Sequence, residues 1–319
     1  MRQQTFSSHG FDRYGKTTRR AKFLAEMDQV VPWRDLCRLV EPHYSNPGRG
    51  RPPVGLERML RLYFLQHWFN LSDPAAEEAL YESISVRRFV GIDLAREAVP
   101  DETTILNFRH LIEVNELGAA MLHAVNDHLH TKGIKIGTGT IVDATIIHAP
   151  SSTKNSTGER DSEMHQTKKG NQWYFGMKAH VGVDSKEKII HSAVVTPANT
   201  HDSQVVADLL HGDEAKIWGD SAYQGRQDAI HAAAPAAQDM TNRRGSRANP
   251  LTDQDHDKNT TKSRVRSKVE HVFHVMKRIF GFTKVRYRGI EKNANRVFVT
   301  CALVNIYLKR RVLLRRVVA

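Results

Sequence analysis

Cysteine is nearly missing from this chain: its 319 residues include only Cys37 and Cys301. They stand far apart and form no metal-ligand spacing, and such sparse use suits a reducing compartment. Long apolar runs are missing too. Met1 to Lys22 is polar and basic, without the apolar core of a secretory leader. The longest apolar stretch, Val297 to Leu308, is interrupted by Thr300 and Asn305 and is too short to span a bilayer. A soluble cytoplasmic protein, associated with the nucleoid if it binds DNA, is the expectation. None of the 17 histidines falls into a zinc-motif pairing. Acidic residues are scarce in one region only. Residues 243–319 hold 20 Lys and Arg against 5 Asp and Glu, whereas residues 1–242 hold 27 against 30. The whole excess behind the net charge of +12 therefore sits in the last quarter. A polyanionic partner explains that concentration, because neutralising phosphates releases counterions; a solvated basic face is the plainer alternative.

A hydrophobic fraction of 40% is enough for a packed core. The Pro/Gly-rich stretch Asn46 to Pro53 reads as a linker or turn. Beyond it, Leu56, Met59, Leu60, Tyr63, Phe64 and His67 mark one helix face, and Asp73-Pro74 predicts a helix start with Asp as N-cap. Ile105 to Ile112 and Leu117 to Leu129 predict two more helices, the second ending near Gly133. The pattern then changes. Thr138 to Ile147, Met177 to Val183 and Ile189 to Val195 read as strands, with a polar mobile loop over Ser151 to Asn171. A helix over 201–210, a short strand at Lys216 to Trp218, a helix near 227–234 and a long helix over 263–280 follow. That order is α/β. Two domains are expected: a helical one over 1–132, for DNA binding or dimerisation, and an α/β one over 133–319 with basic C-terminal helices.

Three acidic residues stand out. Asp143 interrupts the apolar strand Ile141-Val142-Asp143-Ala144-Thr145, where a carboxylate needs a partner or a metal unless it faces solvent from an edge. Asp220 ends the short strand in Trp218-Gly219-Asp220, where ligands of α/β sheets collect, although a turn cap reads equally well. Glu270 shares with Arg266 and Lys277 a charged stripe bordering the apolar face of the 263–280 helix; an ordinary Arg–Glu pair is the alternative. Together they form an oxygen-rich donor set suited to Mg²⁺.

The motifs resemble those of DDE transposases of bacterial insertion sequences, in particular the insertion-sequence-five family. The resemblance lies in Ile141-Val142-Asp143-Ala144-Thr145, in Thr196-Pro197-Ala198-Asn199-Thr200-His201-Asp202-Ser203 with Trp218-Gly219-Asp220-Ser221-Ala222-Tyr223, and in Arg266, Glu270 and Lys277 at the spacing of the family's third signature. Ser263 stands where that signature has a tyrosine. The resemblance implies a ribonuclease H-like domain, a mixed sheet flanked by helices, in which Asp143, Asp220 and Glu270 are catalytic. It implies two Mg²⁺ ions, with Mn²⁺ as a substitute, Asp143 bridging them and Asp220 and Glu270 each completing one. It further implies cleavage at double-stranded terminal inverted repeats, attack of the freed 3′-hydroxyls on target DNA, and a homodimer on DNA. Arg266, Lys277, Lys178, Arg243 and Arg244 are the expected DNA contacts. Trp173 and Tyr174 are aromatic candidates for stacking on a base, or for hairpin packing. A ribonuclease H-like nuclease without strand transfer and a DNA-binding protein with an unused pocket are the competing readings.

Overall fold

The computed structural model describes residues 16–44, 52–156 and 158–318. Asn46 to Arg51, most of the expected Pro/Gly linker, lies outside the described residues. Seven helices come first: α1 (Arg19–Val30), α2 (Trp33–Val40), α3 (Leu56–Trp68), α4 (Asp73–Glu82), α5 (Ile84–Val90), α6 (Glu102–Val114) and α7 (Leu117–Thr131). Their ends follow local chemistry. The Asp101 carboxylate accepts from the Thr104 amide at 2.7 Å and starts α6. Gly133, at φ +71°, closes α7 in a left-handed turn. Ser72, one residue before the expected Asp73, caps α4 by accepting from the Ala75 amide.

The sheet contains β1 (Gly139–His148), β2 (His165–Lys169), β3 (Gln172–Asp184), β4 (Ile190–Pro197), β5 (Lys216–Trp218) and β6 (Gln238–Asp239). Its order is β2-β3-β1-β5-β6, with β4 also on β3. The β1–β3, β2–β3 and β3–β4 pairs are antiparallel, and β1–β5 and β5–β6 are parallel. With α8 (Gln227–Ala233), α9 (Asp253–Arg266), α10 (Val269–His274) and α11 (Ile290–Val318) flanking it, this is the mixed, helix-flanked sheet expected.

The pleat of β1 divides its side chains between two cores. Ile141 and Ile147 enter the large core, which runs from Leu24 to Leu313. Val142 enters a smaller one on the opposite face, with Val206, Leu209, Ile217 and Tyr223. The large core joins the N-terminal helices to the sheet through α11. Asn305 on α11 accepts from the Ile190 amide at 2.9 Å and donates to the Ile190 carbonyl, and Asn295 Oδ1 accepts from the Gly118 amide at 2.8 Å. Among the described residues no helix is long and apolar enough to cross a membrane.

Three expectations about local structure need correction. Ser151 to Asn171 is not loop throughout, since His165–Lys169 forms β2 on the edge of β3. Residues 201–210 form two 3₁₀ turns, Asp202–Val205 and Ala207–Leu209, rather than an α-helix. The expected helix over 263–280 begins ten residues earlier, at Asp253, breaks after Arg266, resumes as α10, and ends in a π turn over Val275–Ile279. A capping box between Thr252 and Asp255 sets its start.

Candidate active site

Register brings the two aspartates together. Ile141 on β1 pairs with Trp218 on parallel β5, and two further residues along each strand set Asp143 beside Asp220 on the same face. Gly219 permits this bend, because a Cβ there would press on the Tyr223 ring and on Val142. On that face lie α9 and α10. Val269, Val272 and Met276 enter the large core, which fixes the rotation of the segment and turns Glu270 out of it.

Asp143, Asp220 and Glu270 line one cavity of about 870 Å³, together with Arg266, Lys178 and Lys277. Asp143 is the deepest of the three. Desolvation pushes its carboxyl up to about 6; the Arg266 guanidinium and the Ala144 amide pull it down, while Asp220 and Glu270 push it further up. Arg266 Nη1 donates to Asp143 Oδ2 at 3.0 Å, and Arg266 Nε is buried without a partner. Ser263, at the signature's tyrosine position, accepts from Asn242 Nδ2 at 2.9 Å and ties α9 to the segment after β6.

The donor set is entirely oxygen, Asp143 is partly desolvated, and Asp220 and Glu270 raise the cost of charging it. Such a set gains from a hard divalent ion, so the residues fit one.

The cations expected to contact DNA are in different situations. Lys277 Nζ donates to the Ile146 carbonyl at 2.7 Å, and burial together with the Lys169 ammonium holds it below the usual lysine range. Lys178 Nζ donates to Asp202 Oδ1 and to the Thr200 carbonyl, both at 2.7 Å. Asp202 is therefore an ion-pair partner inside the cavity; His201 supplies the cap of the following turn, accepting from Ser203 N. Arg243 and Arg244 do not line the cavity, and Arg243 pairs with Asp255 at 3.0 Å. Part of the C-terminal basic excess is also paired internally, Lys309 with Glu187 and Arg310 with Glu26.

Sequence reasoning missed several residues here. Lys168, Lys169 and Arg278 stand at the cavity, and the solvent-exposed His271 and His274 lie at its rim. Lys168 and Lys169 lie on the edge strand whose polar composition concealed it. Trp173, opposite Lys168 in the hairpin register, is 64% exposed. The hydroxyl of Tyr223, buried without a partner, feels the charge of Asp202, Asp143 and Asp220.

Residues 135–306 match the family model described as Transposase DDE domain, and residues 12–111 match one described as Transposase domain (DUF772). A solved structure described as a cryo-EM structure of a piggyBac transposase synaptic complex with hairpin DNA is similar at 9% identity. The match covers 92% of this chain and 73% of that one, with a TM-score of 0.46.

Proposed function

The chain belongs to the transposase DDE domain family, whose model spans more than half of its length, and from that premise we propose how this enzyme's own residues carry the reaction. Family membership implies dependence on a divalent metal. The ions are two Mg²⁺, which Mn²⁺ can replace, held by Asp143, Asp220 and Glu270. When bound, such a pair stabilises both the attacking and the leaving oxygens of an in-line phosphoryl displacement.

The substrate is double-stranded DNA, the terminal inverted repeats first and target DNA second. Lys168, Lys169 and Arg278 at the cavity attract its phosphates. Arg266 has two roles. Its guanidinium holds Asp143 while no substrate is present, and it turns to phosphate once the aspartate has another cation. Lys277 and Lys178 are held by backbone carbonyls and Asp202, which fixes their charge in place. Arg243 and Arg244, away from the cavity, contact flanking duplex. Residues 1–132 serve DNA binding and dimerisation, two copies holding two DNA ends, and the resemblance of the motifs supports the insertion-sequence-five branch. The site of action is the cytoplasm, at the nucleoid.

The observation that carries this reading is the convergence of three carboxylates, from β1, from the end of β5 and from α10, in one cation-rimmed cavity. The test is an Asp143→Asn variant on DNA carrying the terminal repeats. Cleavage with Mg²⁺ is lost while DNA affinity stays within a few fold of the parent. Retained cleavage overturns the assignment. Cleavage by the parent without joining of the freed 3′ end would mark a nuclease instead, and absence of metal-dependent cutting in every form would mark a binding protein.

A further inference from the structure

A second polar cluster lies on the opposite face of the sheet, away from the cavity. Thr140, on β1, shares that face with Val142 and pairs across the ladder with Ile217 on β5. Glu214, in the segment leading into β5, is fully buried. Its Oε1 accepts from the Thr140 hydroxyl at 3.0 Å and from the His211 amide at 2.8 Å, and its Oε2 from the Gly212 amide at 2.9 Å. His211 Nε2 stands 3.4 Å from Glu214 Oε1. His191, from β4, completes the group, with one donor atom of His191, His211 and Glu214 each within 4.8 Å of the others.

The position of His191 is set by an irregularity of the ladder. Gly182 pairs with Ser192 and Val183 with Ile190, so His191 is the extra residue of a β-bulge. Bulges re-aim side chains. Gly182, facing it, leaves no room for a Cβ against His191 Cε1 and the Leu209 carbonyl.

Counting hydrogens exposes a conflict. From the Leu209 carbonyl to Glu214 runs a chain of four contacts: Ser192 Oγ to Leu209 O at 2.9 Å, Ser192 Oγ to His191 Nδ1 at 2.6 Å, His191 Nε2 to Thr140 Oγ1 at 3.1 Å, and Thr140 Oγ1 to Glu214 Oε1 at 3.0 Å. Both ends are acceptors. The two hydroxyls and a neutral imidazole supply only three hydrogens. With no further proton on His191 or Glu214, one contact is left without a hydrogen.

We infer that His191, His211 and Glu214 form a binding site for a divalent first-row transition ion, of which Zn²⁺ is the type. An ion on His191 Nε2, in place of that atom's 3.1 Å contact with the Thr140 hydroxyl, removes the conflict. His191 Nδ1–H then donates to Ser192 Oγ, Ser192 to the Leu209 carbonyl, and Thr140 to Glu214, so each hydrogen has one acceptor. This is the outer-shell arrangement that fixes the tautomer of a metal-ligating histidine. His211 must carry its hydrogen on Nδ1, giving up the 3.3 Å contact from the Asp213 amide, one of the longest in the cluster. The 3.4 Å between His211 Nε2 and Glu214 Oε1 matches the edge of a tetrahedron with bonds of about 2.0–2.1 Å. Two imidazoles and a carboxylate suit Zn²⁺ better than Mg²⁺. His211 is exposed, which gives the ion a way in and leaves the fourth position to water. Such an ion would brace β1, β4 and the approach to β5, behind the strands that carry Asp143 and Asp220.

The test uses the full chain, stripped with a chelator and dialysed against Zn²⁺ with Mg²⁺ in large excess. One Zn²⁺ per chain is retained by the parent and by Glu270→Gln, and it raises the thermal midpoint of both. His211→Ala, at an exposed position where the fold survives, weakens Zn²⁺ binding by about 100-fold or more and abolishes the thermal shift. His191→Gln behaves the same way if it folds. Failure of the parent to retain Zn²⁺ overturns the inference, as does retention by His211→Ala or loss in Glu270→Gln. A thermal midpoint that follows pH but not Zn²⁺ also overturns it, since a proton on His191 or Glu214 would supply the missing hydrogen. None of these outcomes bears on whether Asp143 is required for DNA cleavage.

Discussion

Asp143 and Glu214 are carboxylates held a few residues from one another across the same sheet, yet their surroundings are opposite. Asp143 opens on an 870 Å³ cavity rimmed by cations, has a guanidinium at 3.0 Å, and is raised by two other acids. Glu214 is sealed, and the described hydrogen bonds to its side chain come from two amides and a hydroxyl. The first arrangement leaves a charge only partly compensated and therefore ready for an exogenous cation. The second surrounds the carboxylate with fixed dipoles of its own fold, so that an ion bound there beside His191 and His211 would serve structure rather than turnover. His67, buried against Thr300 at 3.1 Å where α3 meets α11, belongs to the second kind.

The largest effect that would sharpen this contrast is on turnover. Glu270→Gln should lower DNA cleavage by about 10³-fold, the scale of removing one preorganised electrostatic group. Its denaturation midpoint should stay unchanged, because the side chain is exposed. Glu214→Ala should do the reverse. Assayed after chelation, it strips the acceptor from the buried Thr140 hydroxyl and the half-buried His211 and Gly212 amides and should lower unfolding free energy by about 3 kcal/mol in a urea titration. A stable Glu214→Ala protein would break the comparison.

Acidification gives a smaller, graded effect. Burial, with Arg296 and Arg286 nearby, holds His67 well below its usual pKa of 6.5. The unfolded chain then takes up a proton that the native one excludes. Stability from this group is present above about 6.5 and is lost as pH falls, by at most about 1.4 kcal/mol per unit. His67→Gln should flatten that limb of a denaturation series run at several pH values; an unchanged slope would assign the loss elsewhere. The smallest effect belongs to the cavity rim. Lys168→Ala with Lys169→Ala should leave the fold intact and reduce the salt slope of DNA affinity by about 2, near one phosphate contact per lysine. A slope equal to the parent's would remove the rim from the DNA path.

How much of this was legible in the sequence depended on periodicity. β1 and β4 announce themselves through β-branched residues, and the alternation of Ile141, Val142 and Asp143 already singled out the carboxylate. β2 did not, because His165 to Lys169 is an edge strand with polar side chains on both sides. The first turns of α9 were also hidden. Not one residue of Asp253–Arg266 is buried, so no apolar stripe marks it, and only the Thr252–Asp255 cap fixes its start. The 202–209 turns mimic a helix in composition but are held by His201 and Ser203 side chains. The His191, His211 and Glu214 cluster was illegible for another reason: a bulge in β4 and a turn before β5 bring together residues that share no spacing rule.

The division of β1 between two cores has a consequence for how this segment can change over time. Point substitutions at Ile141 or Val142 alter a volume and can be absorbed by neighbours. A single-codon insertion or deletion inside the strand cannot, because every side chain beyond it crosses to the other side of the sheet. Asp143 would then face Val206 and Leu209, and an aliphatic residue would take its place at the cavity. The segment is therefore tolerant in spelling and intolerant in length, and related chains should show gaps flanking this strand but not within it.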